Sequence, residues 1–388
     1  MDIAFSDRLE STPPYLFVGI DRAKREAIAQ GRDIINLGIG DPDTGTPKHI
    51  IEALKVAAED PANHHYALDA GLPEFRQTIA EWFANRFNVD LDPANEIYPV
   101  IGSKEGLAHL PLGIINPGDK VLLTDPAYPA YRPSLMFAGA KIMDVPLKES
   151  KGFQPDLKRV AELKDIKAMY VNYPNNPTAA TATRECYEEL VAIAREKGII
   201  LISDMAYSEI YYDGKKPISI LEIDGAKDVA IEFHSLSKTY NMTGWRIGWA
   251  CGNPKLVSAL AKVKSNYDSG IFQAIQVAAI EALKTPEVEV DDLRRMYEER
   301  RDCLINGLRA YGWKITPPDA AFYVWAKLPK TFNGDSMAAS KAFLDEADVV
   351  ATPGVGFGKG GEGYIRMALT MDKDRIAEAV ARLGKVLA

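Results

Sequence analysis

The chain predicts an α/β protein. It should hold a large domain with a mostly parallel central sheet covered by helices, and a small α+β domain built from both chain ends. Three observations predict this. Short, nearly continuous apolar runs recur through the middle of the chain and alternate with helix-length patterns, as the strands of a sheet buried on both faces do. A long, charged, helical stretch follows Pro286. Beyond it the pattern changes to two aromatic-rich strands and a closing amphipathic helix. These features place the large domain at 41–285 and the small one at 1–40 and 286–388.

Each element has a local reason. Phe75, Ile79, Phe83 and Phe87 recur at a spacing of four within Pro73 to Asn88, which predicts an amphipathic helix with proline in its first turn. The apolar stretch Ile97–Ile101 runs into Gly102-Ser103-Lys104-Glu105-Gly106, which opens a helical run. Val121–Leu123, Ala168–Val171, Ile199–Ile202 and Val229–Phe233 read as buried strands. Thr183 to Lys197 reads as a helix with Tyr187, Leu190, Val191, Ile193 and Ala194 toward one side. Glu287 to Arg309 reads as a long, charged helix of a kind that can connect two lobes. Ala321–Trp325 and Gly363–Met367 read as strands of a smaller sheet. Ile376, Val380, Leu383, Val386 and Leu387 mark the last helix.

Bulk properties exclude several classes. Of 388 residues, 47% are hydrophobic and 26% charged, and the net charge is −8. That sign argues against general nucleic-acid binding. Three widely separated cysteines (Cys186, Cys251, Cys303) suggest neither a disulfide framework nor a zinc site. They fit reduced thiols of a cytoplasmic protein. The acidic opening, with Asp2, Asp7 and Glu10, lacks the apolar core of a secretory signal, and no apolar run approaches membrane-span length. No pair among the five histidines has helical metal-motif spacing, so no metal is expected.

The chemistry is carried by Ser235-Leu236-Ser237-Lys238-Thr239, followed by Gly244-Trp245-Arg246-Ile247-Gly248. A lysine can form a Schiff base with an aldehyde. The neighbouring hydroxyls and the always-charged fork of arginine can hold a phosphate. Alone, the lysine reads as surface charge, but other features accompany it. Asp204 ends the apolar strand Ile199–Ser203, and a carboxylate at the C-terminal end of a parallel strand points into the crevice of the sheet. Beside a pyridine ring it would keep the ring nitrogen protonated; alone it reads equally as a helix cap. Tyr207 and Asn176, the latter in Asn175-Asn176-Pro177-Thr178, can both hydrogen-bond a ring oxygen, although Asn-Asn-Pro is also an ordinary turn. Gly102-Ser103-Lys104 at a helix start can make an anion site, although glycine and serine before a helix are also ordinary capping. Tyr128, in Asp125-Pro126-Ala127-Tyr128-Pro129, can stack on a cofactor ring.

In this order the set resembles the class I/II aminotransferases, the fold type I pyridoxal-phosphate enzymes, over essentially the whole chain. The resemblance implies Lys238 as Schiff-base lysine and proton shuttle, with Asp204 at the pyridine nitrogen. It implies Asn176 and Tyr207 at the ring oxygen, and Tyr128 on the ring face. Ser103, the Lys104 backbone, Ser235, Ser237 and Arg246 would hold the phosphate of pyridoxal 5'-phosphate. Tyr66 would reach the phosphate of a neighbouring subunit, which implies a homodimer with shared sites. Arg366, in Tyr364-Ile365-Arg366-Met367, would fork onto the substrate α-carboxylate. The chain departs from the pattern at Ala179, where the family often has glycine after Asn-Pro-x; little consequence is expected.

The stretches 8–17, 36–43 and 268–276 are similar to those of LL-diaminopimelate aminotransferases. These move an amino group from glutamate to tetrahydrodipicolinate in lysine biosynthesis. By that resemblance Tyr15, Gly40, Lys104, Asn176 and Arg366 would contact the amino-acid or 2-oxo-acid substrate. Aminotransferases acting on alanine, aspartate or methionine share these motifs in weakened form. A pyridoxal-phosphate β-lyase uses the same lysine to eliminate a β-substituent. A transcription regulator with this domain would need a helix-turn-helix, for which the stretch before Tyr15 has no room.

Overall fold

The computed structural model describes residues 3–12, 16–67 and 70–387. Twelve strands are present among them: β1 Ile35–Asn36, β2 Ile97–Val100, β3 Lys120–Asp125, β4 Lys141–Pro146, β5 Ile166–Asn172, β6 Ile200–Asp204, β7 Ala230–Ser235, β8 Gly248–Gly252, β9 Tyr323–Lys327, β10 Val349–Val350, β11 Thr352–Pro353 and β12 Tyr364–Ala368. Seven form one sheet in the order β2-β8-β7-β6-β5-β3-β4. Only β8 runs against its neighbours, so the sheet is mostly parallel, as expected.

Residue alternation explains why this sheet is covered on both sides. Along β3, Leu122 enters one apolar core with Met169, Leu201 and Trp249. Val121 and Leu123 enter another with Tyr170, Ile202 and Phe233. Each face then needs helices. One is covered by Pro73–Phe87 and Arg184–Lys197, the other by Ser103–Ile114 and Pro254–Lys264. Phe75, Ile79, Phe83 and Phe87 are all buried, a contribution of roughly 2 kcal/mol apiece before entropy. Their helix ends at Asn88, which adopts a left-handed cap at φ 54°. Arg184–Lys197 starts at Thr183, whose side chain accepts from the Cys186 N–H, and ends at left-handed Gly198.

A third core joins Ile35 and Leu37 to Leu304, Phe322, Ile365 and Leu383. Here β1 pairs with β10 in parallel, and β11, β12 and β9 form an antiparallel sheet. The helix Glu287–Ala310 carries three buried arginines into ion pairs with distant segments: Arg294 with Glu209, Arg300 with Asp43 and Arg301 with Asp213.

Some boundaries differ from the sequence expectation. The strand expected from Ala321 starts at Tyr323, because Ala321 has a positive φ of 58°. Val229 closes a short helix, and its strand begins at Ala230. Asp204, expected at the end of its strand, is the last residue of β6.

Candidate active site

Parallel strands bring their C-terminal ends to one edge, and there the functional side chains collect. Asp125 ends β3, Asn172 ends β5, Asp204 ends β6 and Ser235 ends β7. Beyond them lies a cleft of about 310 Å³. Gly40, Ser103, Lys104, Tyr128, Asn176, Asp204, Tyr207, Ser235, Ser237, Lys238, Arg246 and Arg366 all line it. Tyr66 does not; it stands 91% exposed on its own chain. Tyr15 lies outside the described residues.

Lys238 is carried by a single helical turn, Leu236–Thr239, capped by Ser235, whose hydroxyl oxygen accepts from the Ser237 N–H. Its Nζ donates to the Gly40 carbonyl at 3.0 Å. Desolvation pushes its pKa down from 10.5 to about 8; Asp41 opposes this, and Arg366 and Arg246 add to it. A neutral amine is therefore within reach at ordinary pH.

Asp204 is buried, which pushes its pKa up to about 6, while hydrogen bonds from Tyr131 and Ala206 pull it back. Tyr131 donates to Oδ2 at 2.5 Å, and the Ala206 N–H donates to Oδ1 at 3.2 Å. Asn172 ties two segments together: Nδ2 donates to the Asp204 carbonyl and Oδ1 accepts from the Asn176 N–H, each at 2.8 Å. Asn176 Oδ1 in turn accepts from Arg366 Nη1 at 2.9 Å, leaving its Nδ2 as the donor.

Arg366 is 4% exposed, and its Nη2 donates to the Gly38 carbonyl at 2.8 Å. Its guanidinium lies over the rings of Tyr323, at 4.2 Å, and Phe357, at 4.8 Å. The Tyr323 hydroxyl meets that of Tyr207 at 2.9 Å and packs against Gly40 so closely that a Cβ there would overlap it. Opposite, Gly102 takes φ 78° and starts the helix Ser103–Ile114. The Arg246 guanidinium lies where a Gly102 side chain would be. The helix-start N–H groups, three serine hydroxyls and this guanidinium make a corner built for a dianion.

Tyr131, Asn172 and Tyr323 were not singled out from the sequence. Asn172 carried a readable signal, a polar residue closing an apolar strand, as Asp204 does. Tyr131 and Tyr323 look like any core aromatic. Lys104 is exposed at the border of an adjoining groove of about 600 Å³, which Arg8, His109 and Tyr267 also line. Nearby, Glu105, His109 and Asp268 cluster at ligating distance, but the ammonium of buried Lys264 pairs with both carboxylates at 2.9 Å.

Comparison with known proteins decides the family. The family described as aminotransferase class I and II matches residues 32–383. The chain belongs to the class I and II aminotransferases. These are pyridoxal-phosphate-dependent transaminases, and the site fits the cofactor: a dianion corner, a buried carboxylate and a desolvated lysine stand in one cleft. This aminotransferase is 54% identical over 388 residues, 99% of this chain and all of the other, to the LL-diaminopimelate aminotransferase of Maridesulfovibrio salexigens. It is 53% identical to that of Aquifex aeolicus, covering 98% of each chain. Among solved structures, substrate-bound BacF from Bacillus subtilis superposes with a TM-score of 0.95 at 36% identity, covering 100% of this chain and 98% of that one. No helix among the described residues is long and apolar enough to cross a membrane.

Proposed function

We infer that this aminotransferase is an LL-diaminopimelate aminotransferase, acting with 2-oxoglutarate and glutamate as the second pair, in lysine biosynthesis. The observation that carries the transamination reading is Lys238 Nζ, desolvated in a cleft that also holds Asp204 and Arg366. What supports the substrate reading is identity above half, over the full chain, to enzymes of that name.

The proposed roles follow from position. Ser103, Lys104 N–H, Ser235, Ser237 and Arg246 hold the cofactor phosphate. Asp204 carries negative charge at the ring nitrogen, Asn176 Nδ2 and the Tyr207 hydroxyl face the ring oxygen, and Tyr128 covers the ring. Bound there, pyridoxal phosphate supplies a reactive carbonyl carbon and a sink for the electrons of the broken Cα–H bond. Arg366 forks onto the α-carboxylate and so fixes the Cα–H bond relative to Lys238. Lys238 Nζ, neutral once free, takes that proton and returns it. Gly40 bounds the substrate side, and Lys104 and Tyr15 supply donors for the distal carboxylate.

We further propose a cytoplasmic homodimer in which Tyr66 serves the partner's phosphate site; its exposure on its own chain supports this. The division into 41–285 and the two flanking segments is likewise proposed. The test is turnover of LL-diaminopimelate with 2-oxoglutarate, read as glutamate formed, beside alanine, aspartate and methionine as donors and cystathionine as a lyase substrate. Preference for diaminopimelate is expected. Preference for another donor would discard the substrate reading and keep the site, whereas elimination from cystathionine without transamination would discard the transamination reading and keep only the cofactor site.

A further inference from the structure

The carboxylate that must stay ionised in this site is in the place least suited to it. Asp204 is 5% exposed at the end of a central strand, and burial alone favours its neutral form. A neutral carboxyl cannot hold a positive ring nitrogen beside it. Three hydrogen bonds surround the residue, and two are backbone matters: Ala206 N–H to Oδ1, and Asn172 Nδ2 to the Asp204 main-chain carbonyl. Among the described residues, Tyr131 is the side chain that hydrogen-bonds the carboxylate, its hydroxyl donating to Oδ2 at 2.5 Å.

Tyr131 is held for that contact. It opens the helix Tyr131–Phe137 directly after the loop that carries Tyr128. Its ring packs edge-on against Tyr128, with centroids 5.4 Å apart, and tilted against Tyr170 at 5.2 Å. Tyr170 is itself pinned by donating to the Leu107 carbonyl at 3.0 Å. Tyr131 is 2% exposed, so its hydroxyl is largely shielded from bulk water. Burial and the adjoining carboxylate both push the phenol pKa far upward, so it remains a donor across the working pH range.

We propose that Tyr131 is the positioning residue that keeps Asp204 charged and holds its carboxylate in place for the cofactor ring nitrogen. Its bond to Oδ2 and the Ala206 N–H bond to Oδ1 together fix the plane of the carboxylate, and each oxygen keeps a lone pair for the ring. By touching Tyr128 it couples the residue proposed on the ring face to the one proposed at the ring nitrogen. The proposal rests on the assignment of Asp204 to that nitrogen.

The test uses the holoenzyme with Tyr131→Phe, Asp204→Asn and the double variant. A donor to a buried charge changes proton affinity by about ten- to a hundredfold. In Tyr131→Phe the acid limb of pyridoxal-phosphate binding, measured by fluorescence from pH 5 to 9, should move up by about one to two pH units. The absorbance titration of the lysine-bound cofactor should also move up, because a less positive ring repels a proton on the linkage less. Turnover should fall about tenfold or more with KM changed by less than about threefold. In the Asp204→Asn background the same Phe change should alter cofactor affinity by less than about twofold.

A merely structural Tyr131 would weaken binding equally in both backgrounds and leave the absorbance titration in place; that result overturns the proposal. If Asp204→Asn itself changes neither affinity nor spectrum, the Asp204 assignment fails first. If it changes both while Tyr131→Phe changes neither, only the Tyr131 role fails. Neutron diffraction from the unaltered holoenzyme needs no variant to fold. It should place the shared deuteron on Tyr131 Oη, and a deuteron on Asp204 Oδ2 would refute the role.

Discussion

Replacing Lys238 by methionine should make the cofactor-free protein more stable, and the gain should depend on pH in one direction. Desolvation lowers the folded-state pKa from the ordinary 10.5 to about 8, a penalty of roughly 3 kcal/mol on the ammonium. The sign follows from proton binding. Below pH 8 the group is protonated whether the chain is folded or unfolded, so the penalty is fully present. Between about pH 8 and 10.5 the unfolded chain binds a proton that the folded one does not, so stability rises with pH. Above 10.5 the penalty is gone. Methionine matches the apolar stem and has no charge to desolvate, but it strands the Gly40 carbonyl that Nζ now serves at 3.0 Å, at about 1 kcal/mol. The net expectation is a gain of about 2 kcal/mol at pH 7, fading to a loss of about 1 kcal/mol near pH 10.5. Urea unfolding of both apoproteins at one protein concentration, from pH 6.5 to 10.5, measures the difference directly. A difference that stays flat with pH, or a parent protein more stable at pH 7, would refute the claim that Lys238 is held against its preferred charge state. Turnover should vanish in the variant whatever its stability.

Three further outcomes are expected. Gly40→Ala puts a methyl where the Tyr323 hydroxyl lies; steady-state assays should show kcat/KM down at least about tenfold, since the Tyr207–Tyr323 contact and the Lys238 acceptor both shift. Unchanged kinetics would mean the cleft wall yields freely. Arg366→Lys keeps the charge but cannot serve Asn176, Gly38 and a carboxylate together, so KM for the amino donor should rise about thirtyfold, near 2 kcal/mol, with kcat less affected. Ala179→Gly should raise the thermal midpoint, since Ala179 sits at φ 59° in the left-handed region and relieving it is worth up to about 1 kcal/mol. A lower midpoint would show that the buried methyl matters more than the backbone.

Ala179 also shows how sequence and structure divide the account. That glycine is usual at this point was legible, but the positive φ that makes it so was not, because a turn's handedness is set by what it joins. The period-four phenylalanines of 73–87 and the apolar runs of β3, β5, β6 and β7 were legible for a simpler reason. Side-chain periodicity is a local consequence of backbone geometry. Lys238, Asp204, Asn176 and Arg246 were legible because their chemistry is rare and their chain order is informative.

Tertiary structure alone decided what each of those groups experiences. Lys238 and Arg366 are 128 positions apart in the chain, yet both line one cleft because parallel strands end on one edge and β12 folds back beside them. Tyr131 meets Asp204 across 73 positions, and Tyr323 meets Tyr207 across 116. Nothing in a tyrosine's immediate neighbours distinguishes a core filler from a hydrogen-bond donor to a buried charge. The sequence by itself determined which reacting groups the protein has and the elements that carry them. Their proton affinities were decided by folding, because desolvation and the distance to other charges exist only once the chain has closed around them.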